Sequence, residues 1–139
     1  MDSPDSVAPL NPGQRISTIL IVEDETLIRI MLSDYLQECG FAVLEAANAD
    51  EAVTLIERDV SGIDLIFSDV RMPGTMDGFG LAKWVRENRP SLPVILTSGD
   101  IGKANLAQDL CANGLFLAKP YELDLIAEKI RQAIEERPT

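Results

Sequence analysis

The sequence predicts an α/β protein with five parallel strands in a doubly wound sheet, covered by helices on both faces. Three observations lead there. Five short apolar runs alternate with five helical periodicities along the 139 residues. The connections between them are only a few residues long, as crossovers within a single sheet require. The composition, 46% hydrophobic but only 5% aromatic, is dominated by aliphatic residues that suit close helix-on-sheet packing.

Each element has its own signal. Thr18 to Val22 is apolar at successive positions, as a strand buried on both faces should be. Leu27, Met31 and Tyr35, flanked by Ile28, Leu32 and Leu36, give a first helix with a wide apolar stripe, and Gly40 stops it. Phe41 to Glu45 reads as the second strand. Asn48 and Glu51 resemble a capping pair for a second helix whose apolar face is Ala49, Ala52, Val53 and Ile56. Leu65 to Phe67 is the third strand. Gly78 to Asn88 is the third helix, with Leu81, Trp84 and Val85 on its apolar side and Pro90 beyond its end. Val94 to Leu96 is the fourth strand. Asn105 to Asn113 is a weaker fourth helix, and Leu115 to Leu117 is the fifth strand. Leu123, Ile126, Ala127, Ile130 and Ile134 mark a fifth helix. For five strands the simplest doubly wound order is 2-1-3-4-5, the flavodoxin-like arrangement.

Charge and composition narrow the function. The formal net charge of -11 repels nucleic-acid backbones and anionic membrane surfaces. No apolar run reaches the roughly 18 residues of a membrane span, and residues 1–16 read as a disordered leader without signal-peptide character. Cys39 and Cys111 stand singly in helical patterns and read as small buried hydrophobes of a reducing, cytoplasmic setting. The sequence contains no histidine, which leaves carboxylates, hydroxyls and lysine to carry any chemistry.

Those groups fall at strand ends. Glu23 and Asp24 follow the first strand, Asp69 the third, Thr97 and Ser98 the fourth, and Lys119 the fifth. In a parallel sheet these ends share one edge, where open α/β folds bind their ligands. Three carboxylates gathered there call for a hard divalent cation, Mg²⁺ or alternatively Mn²⁺. Taken separately, an acidic start to the first helix would be explained by the helix dipole alone, and that explanation is accepted for Glu25. Lys119 could be a neutralising salt-bridge partner. With a metal and the Thr97 hydroxyl, it could equally bind the oxygens of a transferred phosphoryl group, with Asp69 as nucleophile.

The run Ile19-Leu20-Ile21-Val22-Glu23-Asp24-Glu25, the segment Asp64 to Pro73, Met76-Asp77-Gly78, Thr97 and Lys119-Pro120-Tyr121 together resemble the CheY-like receiver domain of bacterial two-component response regulators. The resemblance covers about residues 17–136 and leaves 137–139 as a tail. It implies that Asp69 is phosphorylated by a histidine kinase or histidine phosphotransfer protein. It implies that Asp24, Asp69 and the main-chain carbonyl of Arg71 ligate Mg²⁺, with Glu23 acting mostly through water. Lys119 matches the phosphate-contacting lysine, Thr97 the switch hydroxyl and Phe116 the switch aromatic, and Lys119-Pro120 would be a cis bond. Such a domain is a phosphoacceptor that assists its own phosphorylation and dephosphorylation rather than an enzyme. Its output surface would be the fourth helix, fifth strand and fifth helix; a homodimer is left open.

The sequence departs from the family pattern in three places. The loop Met72 to Gly78 is one residue longer than the common form, Phe116 replaces a frequent Tyr, and the fourth helix is rich in small residues. Arg71 and Gly99 flank the path of attacking water. No DNA-binding or catalytic domain follows, so the favoured expectation is a stand-alone regulator acting by protein contacts. The alternative is a receiver belonging to a hybrid histidine kinase or phosphorelay, which the Arg71 to Gly78 loop also resembles. An aspartyl-phosphate hydrolase would need an acid where Arg71 stands. A flavin module would need a phosphate-cradling loop after the first strand, where Glu23 and Asp24 lie instead.

Overall fold

The computed structural model describes residues 16–58, 62–98, 115–118 and 123–136, apart from the side chains of 98, 115–118 and 124. The elements are β1 (Thr18–Val22), α1 (Thr26–Glu38), β2 (Ala42–Ala46), α2 (Ala49–Arg58), β3 (Leu65–Asp69), α3 (Gly78–Asn88), β4 (Val94–Ser98), β5 (Leu115–Ala118) and α4 (Leu123–Glu135). The strands form one parallel sheet in the order β2-β1-β3-β4-β5, as expected from the doubly wound alternation. The fourth helix expected over 105–113, Lys119, the Lys119-Pro120 bond, Cys111 and the leader up to residue 15 lie outside the described residues.

Strand alternation divides the core in two. Leu20, Val22, Ile66, Val70, Val94 and Leu96 pack with Ala49, Ala52 and Ile56 of α2 and with Leu81, Ala82 and Val85 of α3. Ile19, Ile21, Leu65, Phe67 and Ile95 pack with Leu32 and Leu36 of α1 and with Ile126, Ala127, Ile130 and Ala133 of α4. The central strands therefore face apolar helices on both sides, which is why their sequences are continuously apolar.

One expectation needs correcting. The apolar stripe of α1 is narrower than its sequence implies. Leu32 and Leu36 are buried and Ile28 and Tyr35 pack partly, whereas Leu27 is 82% exposed and Ile30 and Met31 are also exposed. A helix lying on a sheet covers it with only about a third of its circumference. The α1 sequence has more apolar residues than that contact can use.

The helix ends follow the local chemistry. Gly40 (φ +100°) closes α1: its N–H donates to Gln37 O (3.0 Å) and that of Phe41 to Leu36 O (3.0 Å). This is the Schellman pattern, which requires a left-handed residue at that position. Arg131 of α4 donates to Cys39 O (3.1 Å) and lies 5.3 Å from the Phe41 ring centre, tying the C-terminal helix to this corner. At α2, Glu51 N–H donates to Asn48 Oδ1 (2.8 Å) and the Glu51 carboxylate accepts from Ala47 N (2.9 Å), a variant of the expected capping pair.

The burial difference within α1 is measurable. Leu36→Ala should lower unfolding free energy by about 3 kcal/mol, whereas Leu27→Ala should change it by less than about 0.5 kcal/mol. Urea denaturation of both variants checks this, and equal effects would contradict the placement of α1.

Candidate functional site

Parallel register brings Glu23, Asp24, Asp69 and Thr97 to one edge; Lys119 lies outside the described residues. Val22 pairs with Ser68 and Asp69 with Thr97, so β1, β3 and β4 end at nearly the same level. Glu23 follows Val22 and donates its N–H to Ala46 O (3.0 Å) at the end of β2. Among the described residues, the buried polar or charged side chains are Glu23, Ser33, Ser68, Asp69 and Thr97. All but Ser33 lie at this carboxyl edge, where the apolar strands give way to chemistry.

The carboxylates of Glu23, Asp24 and Asp69 each place an oxygen within 4.8 Å of the other two. Glu23 is 2% exposed and Asp69 8%, while Asp24 faces solvent. Main-chain donors support the buried pair: Glu25 N–H donates to Glu23 Oε2 (3.1 Å), and Arg71 N–H lies 3.4 Å from Asp69 Oδ1. The set consists of hard oxygen donors with one member open to water, which fits a Mg²⁺-class cation that keeps several waters. Thr97 is 1% exposed and directly paired with Asp69, so its side chain projects to the same side of the sheet. Phe116 pairs with Leu96 in the β4–β5 register, beside the Thr97–Leu117 pair.

The backbone at Asp69 is held closely. Val70 N–H donates to Thr97 O (2.9 Å), and Val70 O accepts from Gly78 N–H (2.7 Å). A Cβ on Gly78 would overlap Asp69 O and approach Val70 Cα to 2.7 Å. Glycine at the first residue of α3 thus lets the helix start against the main chain of the central strand's end. Asp77 caps the same helix, accepting from Gly80 N–H (2.9 Å).

The loop between β3 and α3 has a defined path. Gly74 adopts φ +110°, and the Thr75 hydroxyl lies 3.2 and 3.1 Å from the two carboxylate oxygens of Asp50, in the first turn of α2. The loop is thus tied to α2.

Sequence reasoning missed Arg29. Its Nη1 donates to Glu23 O (2.7 Å) and its Nε to Glu45 Oε1 (3.1 Å), joining the acidic turn to the end of β2. The available signal was a cation in the first turns of a helix, where the dipole disfavours it.

A doubly wound parallel sheet with an oxygen-rich acidic cluster at its carboxyl edge defines a class of ligand-binding α/β domains. Comparison with known proteins makes the assignment specific. The model of the response regulator receiver domain matches residues 19–131. The C4-dicarboxylate transport transcriptional regulatory protein DctD of Rhizobium meliloti is 34% identical over 122 residues, covering 86% of this chain and 26% of DctD. The sensor kinase CckA of Brucella abortus is 36% identical over 124 residues, covering 87% of this chain and 13% of CckA. The crystal structure of the response regulator protein TrrA of Thermotoga maritima, in complex with Mg²⁺ and BeF, superposes with a TM-score of 0.76 at 27% identity, over 85% of this chain and 99% of that one. The chain belongs to the response regulator receiver domain family. It spans about a quarter of DctD and about an eighth of CckA.

The close approach at Gly78 yields a prediction. Gly78→Ala should destabilise the fold by about 2 kcal/mol through overpacking against main chain, and should also weaken binding of a divalent cation at the acidic cluster. Thermal unfolding and calorimetric Mg²⁺ titration check the two effects. An unchanged melting temperature would show that α3 can shift at no cost.

Proposed function

We propose that this receiver domain accepts a phosphoryl group on Asp69 from a phosphohistidine donor and signals through protein–protein contacts. The observation that carries the proposal is the joint placement of Glu23, Asp24 and Asp69, with Thr97 paired to Asp69, at one sheet edge. That TrrA, a relative with this fold, is described in complex with Mg²⁺ and BeF supports it.

Glu23, Asp24, Asp69 and the Arg71 carbonyl are the groups proposed to hold Mg²⁺. When bound, the ion would offset the carboxylate charge and draw phosphoryl oxygens toward the edge. An Asp69 oxygen bonds to phosphorus as the donor's N–P bond breaks, and the electron pair leaves with the imidazole. Glu23, buried and anchored to Glu25 N–H, contributes charge without reaching solvent. Thr97 donates a hydrogen bond to one phosphoryl oxygen, and Lys119 neutralises another. Phe116 then responds as the switch aromatic, in a population shift between two packings. The kinase or phosphotransfer partner, a target bound through the surface that includes β5 and α4, and a cytoplasmic location belong to the same proposal. Among the described residues no helix is long and apolar enough to cross a membrane.

A second reading has its own support. The match to CckA, a much longer sensor kinase, favours a receiver that works beside or within a hybrid kinase. The length of the encoding gene separates the two.

Two measurements test the main reading. Asp69→Asn should abolish Mg²⁺-dependent labelling by acetyl phosphate while leaving the fold intact; labelling that persists would refute Asp69 as acceptor. Arg71 is exposed and two residues beyond Asp69, beside the proposed water path. Arg71→Ala should therefore shorten the acyl-phosphate half-life, and an unchanged half-life would remove the shielding role.

A further inference from the structure

We propose that Arg29 is a positioning residue that braces the Glu23-Asp24 turn and thereby raises the affinity of the acidic site for a divalent cation. The inference rests on the proposed function in taking that site to bind Mg²⁺.

The geometry carries the argument. Arg29 lies in the opening turns of α1, six residues beyond Glu23, and its side chain is only 17% exposed. Nη1 holds the main-chain carbonyl of Glu23 at 2.7 Å, and Nε holds the Glu45 carboxylate at 3.1 Å. A charge-assisted bond of that length to a carbonyl is strong and directional. The planar guanidinium spans two acceptors at once, which a single ammonium on a flexible stem does less well.

The placement runs against helix preference. A cation so near a helix N-terminus meets the positive end of the dipole, and α1 has no acidic residue in its first turn and no side-chain cap from Glu25. The helix dipole gains nothing from this charge. Its bonds reach out of the helix, to the turn that carries two of the three clustered carboxylates and to the end of β2. Without the ion, those carboxylates repel one another and the turn would relax outward. Arg29 opposes that relaxation mechanically, through the Glu23 carbonyl. Partners that orient metal ligands from outside the coordination sphere typically set affinity by about 10–100-fold.

The test uses the full chain. Calorimetric titration with Mg²⁺ should give a dissociation constant about tenfold higher for Arg29→Ala than for the wild type, with a smaller loss for Arg29→Lys and for Glu45→Ala. Acetyl phosphate labelling across Mg²⁺ concentrations should show the same shift, while the rate at saturating Mg²⁺ stays within about twofold of wild type, since the brace acts on affinity. Metal-free amide exchange should be faster at residues 23–26 in Arg29→Ala and unchanged in the central strands. Mg²⁺ affinity within twofold of wild type in Arg29→Ala, or a maximal rate that saturating Mg²⁺ does not restore, would overturn the proposal. If Arg29→Ala does not fold, Arg29→Lys and Glu45→Ala carry the same comparison. A wild type that binds no Mg²⁺ would instead defeat the site reading, and the metal-free exchange would still judge the brace.

Discussion

Crowding of the carboxylates of Glu23, Asp24 and Asp69 is the constraint on which the carboxyl edge of the sheet depends. Their oxygens lie within 4.8 Å of one another, and two of the three are buried. If both are ionised, the buried pair repels on the order of 3 kcal/mol at an effective dielectric near 20; water reduces the share of exposed Asp24. Such a cluster persists only if the surrounding backbone cannot yield. Parallel register supplies the first restraint, because β1 and β3 end side by side whatever their side chains prefer. Main-chain N–H groups of Glu25 and Arg71 near the two buried carboxylates supply the second.

Beyond the two N–H groups that reach the carboxylates, four supports around the cluster act on main chain. Gly78 N–H bonds Val70 O, Val70 N–H bonds Thr97 O, Glu23 N–H bonds Ala46 O and Arg29 bonds Glu23 O. Each fixes where a side chain of the edge begins. In the loop beyond Asp69 the restraint runs between side chains, where Thr75 and Asp50 hold the turn through Gly74. This arrangement places a polar cluster, buried apart from Asp24, on a frame that is otherwise apolar.

How much of this was legible depends on whether a signal runs along the chain or across it. The five strands, the order of the sheet and the limits of α3 followed from periodicity and stop residues, which are local. The meeting of Glu23, Asp24, Asp69 and Thr97 followed from one added rule, that parallel strand ends share an edge. Leu27 and Met31 misled because an apolar residue on a helix does not state which third of the helix meets the sheet. Arg29 gave almost no signal, since its acceptors are a carbonyl six residues back and a carboxylate on another strand. The β3–α3 loop was expected between its strand and helix, yet its path depended on Thr75 finding Asp50 across 25 positions.

The same main-chain restraints limit how the domain could respond to a charge placed on Asp69. Thr97 is held from both sides, by its pairing with Asp69 and the Val70 bond to its carbonyl, and by its pairing with Leu117 of β5. Sliding β4 would break bonds in both ladders, each worth about 1 kcal/mol net and far more if left unmade in a buried setting. Rotating the Thr97 side chain about χ1 breaks none of them and requires only a staggered well on the far side. The low-cost response is therefore a change of rotamer at a fixed backbone. A rotamer change empties a small volume beside β5 rather than displacing the strand, and close-packed interiors do not leave such volumes unfilled. Any signal passed from Asp69 to the β5–α4 side would then travel as repacking around Thr97, with the sheet itself as the stationary part.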